Sequence, residues 1–115
     1  EFGGNTANPL YYAKNLYLNG EKVTELVIPN GVKSIGDYAF SYCNGLRYII
    51  IGKNVKSIGD LAFYSCTSLT IINFEGTIKE WNAINKGDDW DRDTGNYTIY
   101  CTDGQIAKDG TVTNN

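Results

Sequence analysis

VKSIGDYAFSYC (residues 32–43) returns, almost unchanged, as VKSIGDLAFYSC (residues 55–66). Two nearly identical phrases, each ending in cysteine, fit either a doubled reactive site or a structural phrase that one fold uses repeatedly. The alignment runs well past the phrase. At an offset of 23, Val32, Lys33, Ser34, Ile35, Gly36 and Asp37 recur as Val55, Lys56, Ser57, Ile58, Gly59 and Asp60. Ala39, Phe40, Cys43 and Leu46 recur as Ala62, Phe63, Cys66 and Leu69. An apolar-x-x-apolar-x-apolar pattern keeps the same offset: Val23-x-x-Leu26-x-Ile28, Leu46-x-x-Ile49-x-Ile51, Leu69-x-x-Ile72-x-Phe74. After the third of these the VKSIG phrase is missing.

A period in the twenties with an L-x-x-L-x-L core is the mark of a stacked, strand-bearing solenoid. Each unit supplies a short strand, and neighbouring units pair through backbone hydrogen bonds at a spacing of about 4.7–4.9 Å. Alternation along the strand turns Leu26, Ile28, Ile49, Ile51, Ile72 and Phe74 inward. The VKSIG phrase reads as a second extended segment, with Gly36 and Gly59 as corner residues able to take positive φ and Asp37 and Asp60 closing the turn. Phe40 and Phe63 fill the centre of the coil. The expectation is a mainly β fold: a right-handed leucine-rich-repeat solenoid of about three rungs, closed at both ends.

The ends carry their own signals. Asn19-Gly20 between apolar runs predicts a hairpin. Thr77-x-x-Glu80 is a capping box that opens a short helix bearing Ile78, Trp81 and Ile84, with Gly87 as its stop. NYTIYCTDGQI, with Asp103-Gly104 at its middle, predicts a closing hairpin. The organisation expected is thus an N-terminal segment and hairpin over residues 1–22 and repeats over 23–75. A helix-plus-hairpin cap over 76–106 and a tail or linker over 107–115 complete it.

Composition excludes several functions. The 115 residues contain no histidine, which removes Ser-His-Asp and Cys-His catalysis, and the three cysteines show no C-x-x-C spacing for zinc. A net charge of −3 and a pI of about 4.8 oppose a phosphate-backbone binder. Nothing approaches the roughly 18 consecutive apolar residues of a membrane span. The absence of methionine and the opening Glu1-Phe2 suggest a piece cut from a longer chain.

VKSIGDYAFSYC followed by Leu46-x-x-Ile49 resembles the BspA-like, or Treponema-type, leucine-rich repeats of bacterial surface proteins. The family unit reads roughly C-x-x-L-x-x-I-x-[IL]-P-x-x-V-x-x-I-G-x-x-A-F. Cys43, Leu46, Ile49, Ile51, Val55, Ile58, Gly59, Ala62 and Phe63 match it in turn; in the preceding copy Val23, Leu26, Ile28, Pro29, Val32, Ile35, Gly36, Ala39 and Phe40 do so. Gly52 replaces Pro29 in the second copy. Residues 74–106 resemble the terminal module that closes such arrays. The resemblance implies a non-catalytic, extracellular or cell-wall-attached module. The function it implies is binding of a host or bacterial surface protein in adhesion, with glycan binding or a purely structural spacer as alternatives.

Candidate sites follow from the fold. Outward strand positions form columns: Thr24, Arg47 and Thr70; Glu25, Tyr48 and Ile71; Val27, Ile50 and Asn73. The candidate partner-binding face is Glu25, Val27, Arg47, Tyr48, Ile50, Ile71 and Asn73, with an apolar patch centred on Tyr48. Trp90, Tyr48 and the early tyrosines would be the stacking platforms of a glycan binder. Asp89, Asp91 and Asp93 alternate like the opening ligands of an EF-hand, but Gly95 falls one place late and Tyr100 stands where the closing Glu belongs. A solvated turn is the preferred reading, and no catalytic residue or cofactor is expected. Cys43 and Cys66 stack in adjacent rungs. Their parallel Cβ vectors suit a disulfide poorly, so they read as buried thiols, with Cys101 in the cap core.

Overall fold

The computed structural model describes residues 17–18, 21–22 and 25–114. Strands β1 (Tyr17–Leu18) and β2 (Glu21–Lys22) pair antiparallel, with Leu18 opposite Glu21, as a two-residue hairpin loop requires. Asn19 and Gly20, like Val23 and Thr24, lie outside the described residues. From Glu25 the chain coils into a solenoid of about three turns.

Each turn has three sides, and each side is tied to the next rung by backbone hydrogen bonds. On the first side, β3 (Glu25–Ile28), β5 (Tyr48–Ile51) and β7 (Ile71–Phe74) run parallel and in register, Leu26 beside Ile49 beside Ile72. Burial alternates strictly, so Leu26, Ile28, Ile49, Ile51, Ile72 and Phe74 point into the core. The second side carries β4 (Ser34–Ile35) and β6 (Ser57–Ile58), both very short. On the third, Tyr38 N, Phe40 N and Tyr42 N donate to the carbonyls of Asp60, Ala62 and Tyr64. Phe40 and Phe63 stack at the centre, their ring centroids 5.5 Å apart and nearly parallel at 15°.

The third turn is present although its sequence has drifted. Leu61 N, Phe63 N and Ser65 N donate to the carbonyls of Asp88, Trp90 and Arg92. Asp88 thus stands to Asp60 as Asp60 stands to Asp37, but at a separation of 28 rather than 23. Helix α1 (Ile78–Ala83) occupies the inserted length, and β8 (Asn85–Lys86) then takes the second-side position beside β6. Asp91 stands where a third core Phe belongs. Trp90, one residue earlier, fills that volume instead, packing edge-on against Phe63 and Trp81. Trp81 in turn meets Phe74 at 5.4 Å and closes the end of the core.

The capping box is formed: Thr77 Oγ1 accepts from Glu80 N, and the Glu80 carboxylate accepts from Thr77 N at 2.8 Å. The Thr77 N–H and then the Thr77 hydroxyl, both donating to it, hold the Glu80 carboxyl below its usual pKa. Gly87 is not the helix stop. The chain already turns extended at Ile84, and the Lys86 ammonium donates to the Trp81 and Ile84 carbonyls at the helix end, 4.8 Å above the Trp81 ring. Strand β9 (Thr98–Cys101) extends the first-side sheet in parallel to β7. β10 (Gly104–Ala107) folds back on it through the expected hairpin. The stretch expected as a tail adds an antiparallel edge strand, β11 (Val112–Asn114), giving the six-strand order β11-β10-β9-β7-β5-β3. Backbone pairing with β10 orders it, despite its exposed side chains.

Two corner expectations change. Gly36 and Gly59 do not take positive φ; that conformation falls on Tyr38, Tyr42, Leu61, Ser65, Asp89 and Asp93. Glycine is needed for close approach: a Cβ on Gly59 would lie 2.5 Å from Asp37 N, and one on Gly87 would lie 2.6 Å from Asp60 N. Asp37 and Asp60 reach across the same gap. Each accepts from the backbone N–H of the next rung, Asp60 N and Asp88 N, at 2.8 Å. Gly52 in place of proline has the same cause, since its Cβ would meet Asn30 Cα at 2.9 Å.

Gly59→Ala should therefore destabilise the chain by about 1–3 kcal/mol, because backbone rather than a flexible side chain must move. Gly31→Ala, with nothing within 4 Å of its Cβ, should leave stability unchanged or raise it by about 0.5 kcal/mol. Urea unfolding monitored by circular dichroism measures both, and equal midpoints would contradict the close-approach account.

Candidate outer face of the parallel sheet

The strand face turned away from the core places the predicted columns side by side. Glu25, Tyr48, Ile71 and Thr98 form one row, and Val27, Ile50, Asn73 and Tyr100 the next. The alternation that buries Leu26 and Ile28 necessarily turns Glu25 and Val27 out. Val27, Ile71 and Tyr100 are the most exposed large apolar groups of this face, at 54%, 37% and 43%. Tyr48 and Ile50 are half-buried between neighbouring strands. Tyr48 lies across the sheet rather than standing out from it, and its hydroxyl accepts from Asn73 Nδ2 at 3.4 Å.

Arg47 and Thr70, just before β5 and β7, are exposed. The Arg47 carbonyl accepts from Thr70 N at 2.9 Å and from Thr70 Oγ1 at 3.2 Å, so this third column is locked by the same rung spacing. Repeat counting missed Tyr100, because it pairs with Asn73 from a position out of step with the repeat period. Alternation in Tyr97-x-Ile99-x-Cys101 was the available signal: Tyr97 and Ile99 are buried, and Tyr100, on the opposite side of the strand, is exposed.

The acidic loop is the third-side turn of the last rung. Asp89 and Asp93 occupy its positive-φ positions, with Asp89 paired to Arg92 at 3.6 Å. Asp91 instead accepts from the Tyr97 hydroxyl at 2.6 Å. Tyr97 is held above its ordinary pKa, first by burial and then by this carboxylate. Lys108 clamps the other side, donating to the carbonyls of Thr94 and Gly95. Among the described residues no three His, Cys, Asp or Glu side chains are grouped to hold a metal ion. Trp90 is half-buried, packed against the core among Phe63, Trp81 and Tyr97.

Cys43 and Cys66 are buried in adjacent rungs, and no disulfide joins the described cysteines. The Cys66 thiol donates to the Phe40 carbonyl at 3.1 Å. Its hydrogen bond with Cys43 and then burial push its pKa far above the ordinary thiol value. Cys101, half-buried, is pushed up to about 11 by burial and by the nearby Asp103 carboxylate. Raised values leave little thiolate at neutral pH, the opposite of an activated nucleophile.

Two outcomes follow. At pH 8, iodoacetamide should alkylate the native chain far more slowly than the urea-unfolded chain, Cys101 reacting before Cys43 and Cys66; mass spectrometry reads the order. Millimolar calcium should leave the melting temperature unchanged, and a rise of several degrees would overturn the reading of the acidic loop as a turn.

A family model described as BspA type Leucine rich repeat region (6 copies) matches residues 12–84, well over half of the chain. No curated protein and no solved structure matches the chain. With the match spanning the rungs whose Leu, Ile, Gly and Phe positions build the coil, the chain belongs to the BspA-type leucine-rich repeat family.

Proposed function

We propose that this chain is a non-catalytic, extracellular or wall-attached module of a bacterial surface protein that binds a host or bacterial surface protein in adhesion. The supporting observation is the outer face of the parallel sheet. Val27, Tyr48, Ile50, Ile71 and Tyr100 lie in register on four adjacent strands and form an apolar strip. Nothing in the core requires apolar groups at these positions, and contiguous exposed apolar surface is where partners dock. Family membership supports the surface setting. The acidic cluster supports binding over catalysis, because Asp89 and Asp91 lie on an outer turn and are engaged by Arg92 and the Tyr97 hydroxyl rather than set against each other.

The experiment is biolayer interferometry of the immobilised chain against purified host matrix proteins and bacterial surface proteins. Ile50→Asp should weaken a bound partner by on the order of 2 kcal/mol, roughly thirtyfold, with the circular dichroism spectrum unchanged. Val27→Asp, at the more exposed position, serves where the Ile50 change disturbs the sheet. Binding that survives both changes would sink the strand-face reading. Binding only to glycans, or to nothing, would favour the sugar-binding and spacer alternatives respectively.

A further inference from the structure

On the third side of the coil the backbone takes positive φ at two equivalent positions per rung. These are Tyr38 (60°) and Tyr42 (65°), Leu61 (54°) and Ser65 (61°), and Asp89 (53°) and Asp93 (58°). The left-handed region disfavours bulky residues and favours Asn and Asp. The last rung follows that preference at both positions. The first rung places tyrosine at both, against it.

Those rings contribute little to the core, since Tyr38 is 59% and Tyr42 44% exposed. Tyr64 from the next rung packs edge-on against Tyr42, with centroids 5.1 Å apart at 74°. Tyr38 stands on the same side of the same rung, its N–H bonded to the Asp60 carbonyl as the Tyr42 N–H is to that of Tyr64, so the three tyrosines share one surface. Exposed carboxylates border it: Asp37 precedes Tyr38 in the chain, and Asp60 accepts from Tyr38 N through its carbonyl; Asp88, Asp89 and Asp93 lie on the same side of the third rung. Arg92 is the one cation in the Asp88–Asp93 turn, and it is paired with Asp89.

We propose that this tyrosine cluster is a second docking surface, one that takes an arginine- or lysine-bearing peptide segment of a partner protein. Exposed phenol faces attract guanidinium and ammonium groups, and the bordering carboxylates complement their charge. The same carboxylates repel phosphate polymers and anionic lipid. This surface lies on a different side of the coil from the sheet face and does not depend on it.

The test is a 15N NMR titration of the whole chain with an acetylated hexa-arginine amide at low ionic strength, beside a neutral Gly-Ser peptide. Saturable shifts should centre on the amides of Tyr38, Tyr42, Tyr64 and Asp60, weaken with added salt, and be absent with the neutral peptide. The double variant Tyr38→Asn/Tyr42→Asn should bind roughly tenfold more weakly. It should melt no lower than the parent, because Asn tolerates the left-handed backbone. No saturable binding, equal binding by the variant, or shifts centred on the strand face would overturn the proposal. So would a lower melting temperature for the variant, which would make the tyrosines packing residues. Because each face reports through its own amides, failure here is distinguishable from failure of the strand-face reading.

Discussion

The constraint on which the structure depends is the distance between successive rungs. A solenoid of this kind holds together only where each turn comes within backbone hydrogen-bonding distance of the next on all of its sides. On the strand sides, regular pairing meets that demand. On the corners, glycine and aspartate meet it jointly: Gly59 and Gly87 leave room for the preceding backbone, and Asp37 and Asp60 cross the same gap to the next N–H. A side chain at the glycine would push the rungs apart, and loss of the aspartate would leave a corner N–H without its acceptor. Gly-Asp is therefore one device in two residues. Its third copy, Gly87-Asp88, survives where nearly everything around it has changed.

That survival explains how the end of the coil is built. Once Asp91 occupies the place of a core phenylalanine, the centre needs other filling. Trp90, Trp81 and Tyr97 supply it from three different elements, each ring meeting the next edge-on or tilted. Helix α1 brings Trp81 over Phe74, and the capping box at Thr77 starts it where the repeat length is first broken. Lys86 then stands at the register position of Ile58. Its side chain is half-buried, and its ammonium is spent on the Trp81 and Ile84 carbonyls at the end of the short helix.

The paired cysteines belong to the same logic. They recur because Phe40 and Phe63 recur, and each occupies a small buried slot beside its ring layer. A reactive cysteine needs access and a stabilised thiolate; both of these are buried, and the Cys66 thiol is pushed away from ionisation. The variable chemistry lies outside, where Glu25, Tyr48, Ile71 and Thr98 share one row, and Tyr38, Leu61 and Asp89 share one corner position.

By itself the sequence determined the coil. A constant repeat length with alternating apolar positions admits one way to bury Leu26, Ile49 and Ile72 together, and the structure pairs them in that register. Capping and the closing hairpin were also legible, because each is a local signal carried by adjacent residues. Tertiary structure decided what depends on residues far apart in the chain. It showed that the Asp88–Asp93 turn is a third copy displaced by a helix, and that Tyr100 joins the strand face out of step with the repeat. It packed Trp90 against the core and made 112–114 an edge strand. It also moved the positive φ from the glycines to Tyr38 and Tyr42. The physical reason is common to all of these. Period and propensity report what one turn of chain prefers, whereas spacing between turns is imposed by neighbours, and it alone decides which residues must be small, strained or exposed.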